Sequence, residues 1–117
     1  MDELMQTDEG RSELSAFQEM NGGVASEDTF AGCTSTVALV TRAEIYCANA
    51  GDSRTVLASR GTAKDLSVDH KPDDPKELSR IMNSGGFVTE GRVNGRLALS
   101  RALGDFEYKQ NNNVQPH

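Results

Sequence analysis

Apolar and polar residues alternate in two rhythms along this chain, one helical at its start and one strand-like in its middle. Leu4 and Met5, then Leu14, Phe17 and Met20, recur at loosely helical spacing. That pattern predicts a helix over residues 1–22, interrupted at Gly10 and stopped by Asn21-Gly22-Gly23. Ala25 to Thr29 reads as a polar loop. From residue 31 the rhythm tightens: Thr34–Val40 (TSTVALV), Glu44–Ala50 (EIYCANA) and Thr55–Ala58 (TVLA) are β-rich runs joined by short connections. Across residues 31–60 they predict a three-stranded antiparallel meander. Ile45 and Cys47 would lie on one face and Tyr46 and Ala48 on the other, so the sheet would be apolar on both sides and need cover on both.

A second helix is predicted over residues 74–84. Asp74 can cap it, Pro75 suits its first position, and Glu77 completes a capping box. Leu78, Ile81 and Met82 form its apolar stripe, and Gly85-Gly86 ends it. Phe87-Val88-Thr89 reads as a short strand, and Leu97–Leu103 as a strand or helical turn. The polar stretch 110–117 reads as a frayed tail. The fold class expected is α+β.

With 117 residues and 36% hydrophobic content, one domain with a modest core is expected. The net charge of −6 argues against a nucleic-acid binder, which needs a clustered basic face. No run has the length and apolarity of a membrane span, and the first residues do not form a signal peptide. A cytoplasmic or nuclear, intracellular protein is the resulting expectation. Cys33 and Cys47 fall out of register in any hairpin turning near Arg42, so they are expected as buried, reduced thiols.

Few residues carry candidate chemistry. Asp52, in Gly51-Asp52-Ser53-Arg54 at a strand end, could offer oxygens to a hard cation or could close an Asx-turn. His70 in Asp69-His70-Lys71-Pro72 could serve acid-base work, or simply hold a loop by hydrogen bonds. Asp73 and Asp74 fit helix capping. Arg92 and Arg101 could meet an anion, or bond carbonyls and nearby acids, with Asp105 folding back onto Arg101. The glycines at 85, 86 and 95 fit neither usual nucleotide-binding pattern.

In order along the chain, GCTSTVALV, YCANAGDSRTVL, LSVDHKP, ELSRIMNSGGFV and RVNGRLALSRALGDFEYK resemble the metal-dependent serine/threonine phosphatases of the type 2C family. The resemblance covers about Ala31 to Lys109, and the N-terminal stretch resembles the helix before the Gly-Cys-Thr block. It implies two packed antiparallel sheets flanked by helices, here an incomplete four-layer arrangement. It also implies hydrolysis of phosphoserine and phosphothreonine in protein substrates by a water held on magnesium or manganese.

Matched position by position, Asp52 corresponds to an acid associated with a weaker third metal. The resemblance likewise implies that Arg92 lies beside a mobile flap where protein substrates approach, with residues 87–109 forming flap and core. The family's principal acids belong to an early Asp-Gly-His and a late Asp-Gly segment, and no Asp here is followed by Gly. The expectation is therefore a central portion of a phosphatase domain, inactive alone. The alternative is a non-catalytic interaction or decoy module built on the same scaffold.

Overall fold

The computed structural model describes residues 1–23 and 31–111. The expected loop at 25–29 and most of the tail at 110–117 lie outside the described residues. In chain order the elements are α1 (Asp2–Met5), α2 (Asp8–Met20), β1 (Gly32–Cys33), β2 (Ser35–Val40), β3 (Ile45–Ala50), β4 (Val56–Ser59) and β5 (Thr62–Asp65). There follow α3 (Pro75–Asn83), β6 (Val88–Thr89), β7 (Arg92–Val93), β8 (Leu103–Gly104) and a 3₁₀ turn at Phe106–Tyr108. The class is α+β, as expected.

The N-terminal helix is two helices. The break falls at Gln6-Thr7, not at Gly10, because Thr7 caps α2 by accepting from the Gly10 N–H at 3.1 Å while its hydroxyl donates to the Leu4 carbonyl. Gly10 serves a different purpose. A Cβ there would run into the Leu4 carbonyl and the Met5 Cα, so its bare backbone lets α1 fold back against α2. This places Asp2 against the far end of the chain, where it accepts from the Gly104 N–H at 3.0 Å and from the Lys109 ammonium. Burial alone would raise the Asp2 carboxyl; the Lys109 and Gly104 bonds outweigh it and hold the group low.

The expected meander is also corrected. Strands β2 and β3 pair antiparallel over six residues, Ser35 opposite Ala50 through Val40 opposite Ile45. Strand β4 turns instead onto β5, Val56 opposite Asp65, through the two-residue turn Arg60-Gly61, both residues left-handed. A similar Glu90-Gly91 turn joins β6 to β7, and β1 pairs with β8. Among the described residues the result is four two-stranded ribbons rather than one sheet.

Burial divides the molecule unevenly. The buried side chains gather around α3: Ile81, Val93, Pro72 and, unexpectedly for an acid, Glu77 at 3% exposure. Met82, expected in the apolar stripe, faces outward, while Glu77 and Ile81, four residues apart, form the inward face. By contrast, Val37, Leu39, Val40 and Tyr46 are each more than half exposed, on both faces of the β2–β3 ribbon. The thiols are reduced as expected, but Cys33 is exposed and Cys47 only half-buried among the described residues. No described helix is long and apolar enough to cross a membrane.

Candidate functional site

The site begins where β3 ends. Gly51 carries the chain through a φ of +120° that side chains rarely adopt, and it is buried. A Cβ at this position would collide with the Thr34 side chain and lie 3.1 Å from the Arg101 carbonyl oxygen. Only glycine lets the corner sit against both, and the turn then projects Asp52.

Asp52 stands at the sheet corner as its spacing suggests, and its carboxylate bonds a side chain from far along the chain rather than closing an Asx-turn on its own backbone. Lys71 donates to its Oδ2 at 2.5 Å, bringing together residues 19 apart in sequence. Beside it, the Thr34 and Ser53 hydroxyls share a hydrogen bond of 2.6 Å. Arg54 bridges Asp65 and Asp69 at 2.9 and 2.8 Å, and its guanidinium holds the Asp69 carboxyl below the usual range.

His70 takes the structural role. Its backbone N–H donates to the Gly51 carbonyl at 2.9 Å, and its Nδ1 lies 3.1 Å from the Gly51 N–H. The Gly51 carbonyl also accepts from the Asn49 amide at 3.1 Å. That oxygen already holds two donors, which favours the tautomer with Nδ1 accepting and the proton on Nε2.

Behind the corner lies an ionic cluster that the sequence did not disclose. Glu77 is not part of a capping box, although Asp74 does cap α3 by accepting from the Lys76 N–H at 3.0 Å. The Glu77 carboxylate receives Arg101 through Nε and a terminal nitrogen at 2.9 and 2.8 Å, Arg80 at 2.9 Å and the Ser100 hydroxyl at 3.0 Å. Burial opposes its charge, but the Arg101, Arg80 and Ser100 bonds prevail and lower the carboxyl to about 2.

Arg101 is therefore committed to Glu77 and does not pair with Asp105, which corrects the expected i,i+4 bridge. A buried bidentate fork is worth more than an exposed local pair. Asp105 instead adopts a left-handed backbone with its carboxyl packed against Gly32, and burial pushes that carboxyl up. The one available signal for the cluster was an acid at i with an apolar residue at i+4 on the face that buries Ile81.

Arg92 lies exposed on β7, away from the corner's own bonds, and its guanidinium donates to the Arg96 carbonyl at 2.8 Å. The structure thus brings Asp52, His70 and Lys71 together and joins Arg101 to Glu77. Arg92 belongs to the separate β6–β7 ribbon.

The divalent ions implied by the resemblance can be tested against these residues. Among the described residues no three His, Cys, Asp or Glu side chains come together as a metal site. Asp52 is a lone carboxylate with an ammonium in contact, whereas magnesium requires six oxygens. The residues present do not fit such an ion by themselves.

A family model described as protein phosphatase 2C matches residues 3–117, and the chain belongs to that family. It is 53% identical over 115 residues to "Protein phosphatase 2C 1" of Paramecium tetraurelia, a match covering 98% of this chain and 37% of the relative. It is also 55% identical over 106 residues to "Protein phosphatase 2C homolog 3" of Schizosaccharomyces pombe, covering 87% of this chain and 25% of that protein. Among solved structures, a phosphatase from a pathogenic strain of Toxoplasma gondii superposes with a TM-score of 0.54 and 28% identity, over 92% of this chain and 48% of its own. The chain spans well under half the length of these curated relatives.

Proposed function

We propose that this sequence belongs to a protein serine/threonine phosphatase that hydrolyses phosphoserine and phosphothreonine in proteins with the help of magnesium or manganese. The 117 residues by themselves form scaffold and do not turn over substrate. Family membership supports the reaction class. The single observation that carries the inactivity reading is the lone Asp52 carboxylate, held by Lys71 at 2.5 Å rather than grouped with other acids.

On this reading Asp52 contributes one carboxylate toward a metal whose other ligands come from outside the described residues. Arg92, exposed on the flap ribbon, meets the approaching phosphoprotein. The test is hydrolysis of a phosphothreonine peptide in manganese, run on the chain alone and on a polypeptide of the relatives' length containing it. Turnover only by the longer protein is expected. Turnover by the 117 residues at a comparable rate would overturn the inactivity reading, and none by either would overturn the assigned reaction.

A second reading, a non-catalytic interaction module, is favoured by one observation: the uncovered apolar faces of β2–β3. It requires the isolated chain to melt cooperatively and without metal dependence. A broad, featureless melt counts against it.

A further inference from the structure

We infer that Glu77 is a positioning residue for the Gly51-Asp52 corner, acting through two separate connections that converge on Gly51. The first runs along hydrogen bonds. The Glu77 carboxylate accepts from the Ser100 hydroxyl at 3.0 Å, and Arg80, itself held by Glu77, donates to the Ser100 carbonyl at 2.5 Å. Ser100 is thereby fixed through side chain and backbone. Its own N–H donates to the His70 carbonyl at 3.1 Å. His70 in turn closes a two-way clasp on Gly51, N–H to carbonyl at 2.9 Å and Nδ1 to N–H at 3.1 Å.

The second connection is steric. Glu77 grips Arg101 by both ends of its fork, and the Arg101 carbonyl forms part of the wall against which Gly51 packs, leaving no room for a Cβ. Both routes pass through adjacent residues, 100 and 101, so one carboxylate sets the position of the segment that supports the corner from behind.

The chemistry suits this use. A buried charge satisfied by two guanidinia and a hydroxyl has one low-energy arrangement, whereas apolar contacts tolerate sliding. Asp52 follows Gly51 directly, so its carboxylate and its Lys71 partner inherit the corner's orientation. The consequence for phosphate hydrolysis rests on the proposed function above; the mechanical link does not, and it is read without turnover.

The experiment is amide hydrogen exchange and ¹⁵N spectroscopy of the 117-residue chain, comparing Glu77→Gln and Ser100→Ala with the parent. In Glu77→Gln, the Gly51, His70 and Ser100 amides are expected to exchange about tenfold faster, while the paired amides of β2–β3 change by less than about threefold. The His70 ring nitrogens should move from the single-tautomer pattern toward a mixture, a signature that a purely structural loss elsewhere would not produce.

Ser100→Ala keeps both arginine pairs and removes only the hydroxyl, so the same amides should respond in the same direction by a smaller factor. If Glu77→Gln accelerates exchange uniformly, the alanine variant decides, since it spares the ion pairs. Unchanged Gly51 and His70 signals in Ser100→Ala together with uniform or absent change in Glu77→Gln would overturn the inference.

Discussion

The Glu77 cluster and the β2–β3 ribbon are opposites. The first buries a charge and satisfies it from within the chain, through Arg80, Arg101 and Ser100. The second has the longest strand pairing among the described residues, yet leaves Val37, Leu39 and Val40 between 59% and 69% exposed. Hydrogen-bonded regularity is thus no guide to which region is complete. The irregular region around α3 is finished locally in its central charge, because the Glu77 carboxylate finds its partners within the described residues, although the buried Arg80 Nε is left without one. The regular ribbon has its backbone bonds but, among the described residues, no layer covering its apolar side chains, and most of the energy of a sheet comes from such layers.

The contrast can be broken most forcefully at Glu77. Glu77→Ala leaves two guanidinia facing a gap and should cost about 4 kcal/mol, as removal of one partner of a buried pair does. Urea unfolding followed by circular dichroism would measure it. A loss below about 1 kcal/mol would show that the cluster contributes little.

Acid probes the same group without mutation. The folded carboxyl lies near 2 against an ordinary 4.5, so its stabilisation is fully present above about pH 4.5 and is lost as the pH falls toward 2. A shift of that size corresponds to about 3 kcal/mol. Denaturation midpoints recorded between pH 6 and 2 should fall accordingly. Asp2 is also held low and titrates in the acid range, so Glu77→Gln should remove most of the slope but not all of it.

Gly10→Ala sharpens the comparison at a neighbouring contact. Its methyl meets the Leu4 backbone, which cannot swing aside as a side chain would, so the expected cost is about 2 kcal/mol despite alanine's better helix propensity. Faster exchange of the Gly104 amide, which Asp2 accepts, would report the release of α1.

The smallest effect belongs to the ribbon. Leu39→Ser should change the stability of the isolated chain by less than about 0.5 kcal/mol, because a residue already 60% exposed loses little. Light scattering should nonetheless show less self-association. A loss above about 2 kcal/mol would mean that this face is covered after all.

What could be read beforehand follows the reach of each interaction. The start of α3 was legible because Asp74, Pro75 and the N–H of Lys76 are local to one turn. The β2–β3 pairing and the corner at Asp52 were legible from alternation and a nearby turn. Strand β5 was not: Thr62–Asp65 is polar and exposed throughout, so no apolar rhythm announces it, and β4 was assigned to the wrong neighbour. The partners of Asp52 and Arg101 were hidden for another reason. They arrive from 19 and 24 residues away, and local spacing offered Asp105 as a plausible decoy.

The six-residue register of β2 and β3 also bears on the order of events during folding. Its strands are joined by a short connection at residues 41–44, so it demands little loop closure and a hairpin of this kind forms within microseconds. The Asp2–Lys109 link spans 107 positions and must wait for the whole chain. The uncharged ribbon, Ser35 to Val40 against Ile45 to Ala50, is therefore present as an adhesive surface early, before slower segments arrive.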